Sequence, residues 1–163
     1  MEEPLQRVYA NRHLGRQALV DLIVEEAIRL TDSALGYLAV LSEDESLLTM
    51  LAWSKSAMAI CKTSKIPFEY PLAATGIWGD CIRERQAVIV NDYEGCTRPT
   101  KKGYPDGHVL VARHMNVPTW KGTRPAGILG VGNKVDPYTA ADASRLQAFA
   151  DAVWPVFEAA KKE

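Results

Sequence analysis

Basic side chains are concentrated in one stretch of a chain whose formal net charge is only −1. Counting both end residues, the segment from Arg98 to Arg124 holds six Lys or Arg side chains and a single acid, Asp106. Lys and Arg donate charge-assisted hydrogen bonds to carboxylates and phosphates. The excess of positive charge predicts a site for a small anionic ligand, and the alternative interpretation is a solvated surface loop.

Three cysteines and two histidines are the other side chains that could do chemistry. Cys61, Cys81 and Cys96 lack the pairwise spacing of metal-binding cysteines, and their odd number does not fit a secreted disulfide framework. His108 and His114 stand six residues apart in different local contexts, which favours structural roles over metal ligation. The sequence therefore predicts reduced thiols and no metal site.

The composition fits a single globular domain. Of the 163 residues, 47% are hydrophobic and 24% are charged, which is typical of a chain with a buried core. The near-neutral charge argues against nucleic acid or a membrane as a partner, and no apolar run approaches the roughly 18 residues of a membrane span. The N-terminal residues lack the apolar segment of a signal peptide, so we expect a cytoplasmic protein.

Apolar residues at helical spacing predict one long helix near each end of the chain. The first covers residues 15–31, and the second begins near Thr139, whose hydroxyl precedes the Asp142 carboxylate at the spacing of a capping box. Pro155 should kink or end the second helix, because proline removes a backbone hydrogen bond. The apolar faces comprise Leu19, Leu22, Ile23, Ala27 and Leu30 in the first helix and Leu146, Phe149, Ala150, Val153 and Phe157 in the second.

Between these helices, short apolar runs bounded by turn residues predict strands. The strands cover residues 36–41, 47–53, 87–90, 114–120 and 127–131, and residues 42–46 form the turn of a hairpin. Residues 127–131 should form a central strand that is buried on both faces. Thr75 should cap a helix that runs to about Gln86, and residues 57–61 should form a short helix or turn. The long segment 94–113 contains several Pro and Gly residues and predicts either a functional lid or a disordered loop.

The final strand, turn and helix carry a recognisable pattern. It consists of the Gly-rich strand 126–131, Asn133-Lys134, Tyr138, Asp142, Leu146 and Phe149-Ala150. This pattern resembles the closing signature of a GAF domain. The resemblance extends to residues 70–93 and 101–118, which are similar to GAF domains at the sensory end of bacterial histidine kinases and diguanylate cyclases.

The resemblance implies an α+β, profilin-like fold. A central antiparallel sheet of five to six strands should carry the N- and C-terminal helices on one face and a ligand pocket on the other, beneath the middle helix and the long loop. The domain should cover residues 16–158, between an N-terminal extension at 1–15 and a tail at 159–163. GAF domains are sensory modules that bind cyclic nucleotides, bilins, haem or small metabolites, or that serve only in dimerisation. The family therefore implies signalling and leaves the ligand and cofactor undetermined.

The same resemblance nominates eight residues for the pocket. They are Trp78 and Cys81 on the middle helix, Asp92 and Tyr93 after a strand, His108, Arg113 and His114 around the lid, and Asn133 after the closing strand. Each also has a structural explanation, because Trp78 could belong to the core, Asp92 could terminate its strand and Asn133 could adopt positive φ in a turn.

An enzyme with the same fold is the main alternative. The free methionine-(R)-sulfoxide reductases are stand-alone GAF proteins in which a thiolate attacks the sulfoxide and a second thiol resolves the product. Cys61 lies near the position of one family cysteine. A second family cysteine is replaced here by Trp78, and residues 97–113 contain none. We therefore expect a sensory domain rather than an enzyme, or, as a further alternative, an unliganded dimerisation module.

The terminal helices also suggest a homodimer. Val20 and Val24 form a second apolar stripe on the first helix, and Trp154 and Val156 lie off the main face of the second. One stripe of each helix can pack on the sheet, which leaves the other for a second copy in a symmetric helical bundle. The chain could also belong to a longer protein with a separate output domain.

Overall fold

The computed structural model describes residues 2–60, 68–103 and 108–160. The helices are α1 (Glu2–Ala10), α2 (Arg16–Thr31), α3 (Lys55–Ile60), α4 (Asp80–Arg83) and α5 (Ala140–Ala159). The strands are β1 (Leu35–Leu41), β2 (Leu47–Trp53), β3 (Phe68–Pro71), β4 (Val88–Val90), β5 (His114–Lys121) and β6 (Arg124–Gly132). Single 3-10 turns occupy Leu72–Ala74 and Ile77–Gly79. None of the described helices is long and apolar enough to cross a membrane.

The strands form one six-stranded sheet in the order β3-β2-β1-β6-β5-β4, and all neighbouring strands are antiparallel. Strand β6 lies between β1 and β5, and its residues 125–132 are all buried. The predicted fold class and the central position of this strand are therefore confirmed. The hairpin of β1 and β2 also forms at the predicted residues.

The helices α2 and α5 cover one face of the sheet. The largest fully buried side chains on this side include Phe149, Phe157, Leu19 and Ile23. Helix α5 starts where its sequence predicts, because the Thr139 hydroxyl accepts a hydrogen bond from the Asp142 amide and the carboxylate accepts one from the Thr139 amide. The helix continues through Pro155, so it does not end at the proline. Burial of Phe157 stabilises the turn beyond it.

Helix α1 packs against both α2 and α5 and buries Val8 completely. The predicted N-terminal extension thus contains a helix that is part of the packed structure. Val20 and Val24 are only 1% exposed, and Trp154 is 3% exposed. The expectation that these side chains form a free stripe for a second copy is therefore wrong, because they are covered within the chain. A homodimer stays a prediction without this support.

The middle of the chain departs from the predicted helix at residues 75–86. Its helical part is reduced to the turn Ile77–Gly79 and the four residues of α4. The Thr75 hydroxyl does not cap this segment but donates to the Leu72 carbonyl. A Cβ on Gly79 would overlap the Thr75 hydroxyl, so the glycine permits a compact turn here that a longer regular helix would not make.

Candidate functional site

A partly open cavity of about 320 Å³ lies on the second face of the sheet. Its floor is the sheet, and its walls are the segment around the two 3-10 turns and the described part of the predicted lid. This volume lies at the lower end of the range of small-molecule sites. The cavity, called the aromatic cavity below, is lined by Leu35, Gly36, Tyr37, Met50, Trp53, Ala57, Tyr70, Ala74, Thr75, Gly76, Ile77, Trp78, Tyr93, Lys102, Gly103, His108, Val109, Val111, His114, Asn116, Val131 and Gly132.

Trp78 is the central aromatic ring of this cavity. Its ring meets Tyr70 edge to face, with centroids 5.4 Å apart and an interplanar angle of 84°, and meets Tyr37 at 6.0 Å and 86°. Such T-shaped pairs are a favoured aromatic geometry. The indole is therefore held by two neighbours, and Trp53 and Tyr93 add further aromatic surface to the lining.

The polar groups of the cavity form a short hydrogen-bonded chain across the sheet. The Tyr37 hydroxyl donates to Asn116 Oδ1 at 2.7 Å, and Asn116 Nδ2 lies 2.8 Å from His114 Nδ1. Asn116 is 1% exposed and His114 is 8% exposed. Gly130 lies between Tyr37 and Asn116 on β6, and any side chain there would occupy the space of their contact. This glycine therefore allows the polar chain to form.

The pKa of His114 is lowered to about 4, first because the ring is buried and then because the positive charge of Arg98 is nearby. The Asp80 carboxylate acts in the opposite direction but does not compensate. His114 is therefore a neutral imidazole at neutral pH. One of its ring nitrogens donates a hydrogen bond and the other accepts one, and the ring carries no charge for an ion pair.

Acid should destabilise the folded domain through His114. An unfolded histidine titrates near pH 6.5, so between that pH and about pH 4 the unfolded state binds a proton that the folded state excludes. Stability is present above this window and is lost as the pH falls through it. The free energy of unfolding should drop by about 2 kcal/mol from this group between pH 7 and pH 5, measured by urea unfolding. His114→Gln should remove this contribution of His114 to the loss of stability. An equal loss of stability between pH 7 and pH 5 in the wild type and in His114→Gln would contradict the prediction.

The lid is fastened to α4 by the buried carboxylate of Asp80, which is 2% exposed. Arg98 Nη1 and Thr100 Oγ1 from the lid donate to Asp80 Oδ2 at 3.2 and 2.7 Å. Arg83 donates to Oδ1 through Nε and Nη2 at 3.0 and 2.7 Å. The same guanidinium reaches the carbonyls of Leu72 and Gly76. One carboxylate therefore joins α4, the 3-10 segment and the lid beside the cavity.

Four of the eight nominated residues line the aromatic cavity, namely Trp78, Tyr93, His108 and His114. The other four lie elsewhere and have structural contacts. Asp92 accepts a hydrogen bond from the Gly95 amide in its own turn. The Arg113 guanidinium donates to the Val135 carbonyl at 2.6 Å. Neither side chain belongs to the lining, because Asp92 bonds within its own turn and Arg113 bonds to a carbonyl beyond the end of β6.

Asn133 and Cys81 have equally clear structural positions. Asn133 has a φ of 58°, and its side chain donates to the Leu110 carbonyl and accepts from the Ala112 amide. It thereby holds the returning end of the lid. Cys81 is fully buried beneath Trp78, and burial raises the pKa of its thiol well above the usual range. A thiol in this state is a poor nucleophile.

The predicted anionic site depended on basic residues that mostly lie outside the cavity. Of the six, Lys102 alone belongs to the lining, where its Nζ donates to the Ala74 carbonyl at 2.9 Å. Arg98 pairs with Asp80 and Glu84, and Lys121 pairs with Glu158. The other five cations lie outside the described lining and contact acids or backbone carbonyls, so the expectation of an anionic ligand loses this support.

Sequence reasoning missed Tyr37, Trp53, Tyr70 and Asn116 as lining residues. Tyr37 and Trp53 were assigned to their strands, where they pair across β1 and β2, but the sequence does not show which face of the sheet carries the cavity. Period-two alternation along β5 was a usable signal, because it places Asn116 on the face of His114.

Among the described residues, no group of three or more His, Cys, Asp or Glu side chains is arranged to hold a metal ion. Cys61 lies outside the described residues.

The sheet order and the position of the cavity place this chain among α+β domains that cover an antiparallel sheet with helices on one face and a loop-bounded cavity on the other. The GAF domain family matches residues 13–158. The chain therefore belongs to the GAF domain family.

Known proteins resemble the chain in sequence and in fold. It is 41% identical over 140 residues to the methyl sulfide methyltransferase-associated sensor of Methanosarcina acetivorans; the match covers 86% of this chain but only 14% of that protein. The GAF domain of an Acinetobacter phosphoenolpyruvate-protein phosphotransferase aligns with a TM-score of 0.73 and 16% identity, over 96% of this chain and 92% of that one. A free methionine-R-sulfoxide reductase from Neisseria meningitidis gives 0.70 and 14%, over 96% and 87%. These two structures share the fold.

Proposed function

We propose that this GAF domain is the sensory module of a cytoplasmic signal-transduction protein and that it binds a small organic molecule in the aromatic cavity. The observation that carries the proposal is the cavity itself, a partly open space of about 320 Å³ with five aromatic rings and a few convergent polar groups in its lining. Concave apolar pockets with few polar groups are the usual form of small-molecule sites. Filling this space with a ligand would bury apolar surface on both partners.

The relative in Methanosarcina acetivorans supports a sensory role, because that protein is named as a sensor. The chain corresponds to 14% of its length, so the remainder of that protein has no counterpart in this sequence. The proposal accordingly includes an output domain in a longer chain, of the histidine kinase or diguanylate cyclase kind. The full open reading frame of the gene tests this part directly.

Strand β5 offers a route from the cavity to the terminal helices. His114 and Asn116 lie on the cavity side, whereas Met115 and Val117 belong to the core beneath α2 and α5. Gln147 of α5 also donates to the Pro118 carbonyl of this strand at 2.8 Å. A ligand that contacts His114 would therefore press on a strand whose next residue, Met115, packs in the core beneath the helices. It would shift helix packing only if it binds one arrangement more tightly than the other.

The proposal is non-enzymatic because the described thiols are unsuited to catalysis. Neither Cys81 nor Cys96 belongs to the cavity lining, and the Cys81 thiol is fully buried. The reductase mechanism needs an accessible thiolate at the substrate. Incubation with free methionine sulfoxide and a thioredoxin system should therefore give no turnover. Turnover that is lost in Cys61→Ser would replace the sensory proposal with the enzyme.

The binding proposal predicts a retained ligand that depends on Trp78. The protein isolated from its own host should carry a bound compound in native mass spectrometry, and Trp78→Ala should lose it because the central ring of the lining is removed. Trp120→Ala is the matched control, since Trp120 lies on β5 outside the lining, and this variant should retain the compound. Circular dichroism verifies that both variants fold. An empty wild-type protein, or equal retention in all three proteins, would overturn the proposal.

A further inference from the structure

The charges around the aromatic cavity limit the charge of its occupant. Among the lining residues that the structure describes there is no carboxylate, and Lys102 is the one side chain with a permanent charge. A cation would have no opposite charge beside it, and a multiply charged anion would have one ammonium group, whose Nζ already donates to the Ala74 carbonyl. Burying an unpaired charge is costly. Lys102 is exposed, so water and the Ala74 carbonyl already satisfy its charge, and the lining favours a molecule without net charge.

The rings in the lining limit the shape. The edge-to-face contacts of Trp78 with Tyr37 and Tyr70 place aromatic planes nearly at right angles to one another. The cavity consequently presents both ring faces and ring edges to its occupant. A flat conjugated molecule can stack on a face and accept contact with an edge at the same time. The volume of about 320 Å³ suits a molecule of a few fused rings.

The hydrogen-bonded chain of Tyr37, Asn116 and His114 determines which nitrogen of His114 can donate a hydrogen bond to a ligand. Asn116 Oδ1 is an acceptor, so Tyr37 donates to it and the amide nitrogen faces His114 Nδ1. Nδ1 must then accept the amide hydrogen, and the single proton of the neutral imidazole lies on Nε2. Within the described part of the chain, His114 Nε2 has no hydrogen-bond partner. It is a donor that lacks an acceptor at the border of an apolar space.

We infer that the aromatic cavity binds a flat, conjugated, uncharged molecule with a carbonyl-type acceptor, and that His114 Nε2–H donates the hydrogen bond that orients it. The inference rests on the proposed function, because it names the ligand class of the same cavity. Asn116 and Tyr37 act through His114 as positioning residues, since they hold the tautomer in which Nε2 carries the proton.

Binding of matched probes tests the acceptor. 9-Fluorenone is a flat, uncharged ketone, and fluorene has the same ring system without the carbonyl oxygen. Isothermal titration should show 9-fluorenone binding about fivefold to tenfold more tightly than fluorene, which is the effect of one hydrogen bond. Protonated 9-aminofluorene and 9-fluorenone-4-carboxylate should both bind more weakly than 9-fluorenone. Tighter binding of either ion, or equal binding of 9-fluorenone and fluorene, would overturn the ligand class.

Two histidine variants test the donor. His114→Phe should abolish the preference for the ketone, and His114→Gln should restore part of it because the amide can donate. His108 also belongs to the lining, so His108→Phe is the matched control and should preserve the preference. If His108→Phe loses the preference for the ketone and His114→Phe retains it, the donor is His108 and the assignment to His114 is overturned.

A measurement on the unaltered protein keeps the test independent of the variants. Long-range ¹H–¹⁵N correlation spectra of the imidazoles should show the His114 proton on Nε2, and a proton on Nδ1 would overturn the assignment. The ligand class and the sensory role can be contradicted by different results. If native mass spectrometry finds a retained ligand but no fluorene-type probe binds, the ligand class is wrong and the sensory proposal stands. If the protein is empty and no probe binds, both are wrong.

Discussion

Replacing Asp80 with alanine should lower the free energy of unfolding by about 3 kcal/mol, because the substitution breaks a buried ion-pair network. The carboxylate is 2% exposed and accepts hydrogen bonds from Arg83, Arg98 and Thr100. Its removal leaves Arg83 without its carboxylate partner, whereas Arg98 keeps its ion pair with Glu84. Their side chains are 28% and 34% exposed, so water compensates in part, and the estimate lies at the low end for such a network. Urea unfolding at neutral pH measures the change.

Glu84→Ala is the matched control for this prediction. Glu84 pairs with the same Arg98, but its side chain is 36% exposed, and exposed pairs contribute little. Its loss should therefore cost less than about 1 kcal/mol. The Asp80 variant should also bind any cavity ligand more weakly, because Arg98 and Thr100 of the lid lose their hydrogen bonds to Asp80. Equal destabilisation by the two substitutions would show that burial of Asp80 is not the cause.

A side chain at Gly130 should be nearly as damaging. A Cβ added there would overlap the Tyr37 ring and lie 2.5 Å from Asn116 Oδ1. Both neighbours belong to the polar chain of the cavity and are packed against the sheet, so they cannot move without losing their contact. We expect Gly130→Ala to lower the free energy of unfolding by about 2 to 3 kcal/mol, as overpacking of a core does. Urea unfolding measures it, and altered Trp78 fluorescence should accompany it.

Gly132 provides the control on the same strand. A Cβ at this position would lie 3.4 Å from the Arg113 carbonyl oxygen and 3.6 Å from Val111 Cγ1, which are ordinary contact distances. Gly132→Ala should therefore change stability by less than about 1 kcal/mol, since alanine also restricts the unfolded chain. A larger loss in this variant than in Gly130→Ala would contradict the steric argument. Comparing Gly130→Ala with Gly132→Ala therefore distinguishes a steric clash at Gly130 from a general intolerance of side chains in β6.

Elements whose causes are local could be predicted from the amino-acid sequence alone. Thr139 and Asp142 stand three residues apart and satisfy each other's backbone amides, so the start of α5 could be predicted without its neighbours. The hairpin of β1 and β2 follows from two apolar runs and a polar turn. The Gly-rich pattern of β6 and the residues after it indicated the GAF family, and with it the antiparallel sheet and the presence of a pocket.

The contacts between distant side chains, in contrast, could be known only from the folded structure. Arg113 and Lys102 carry similar charges in the same lid, yet one binds a turn carbonyl and the other borders the cavity. Val20 and Val24 form an apolar stripe, but the sequence does not say that the chain itself covers them. Helical and strand periods are local properties, whereas strand register, helix docking and the space left by Gly130 depend on residues far apart in the chain. The cavity is made by these long-range contacts, which is why its lining could be predicted only in part.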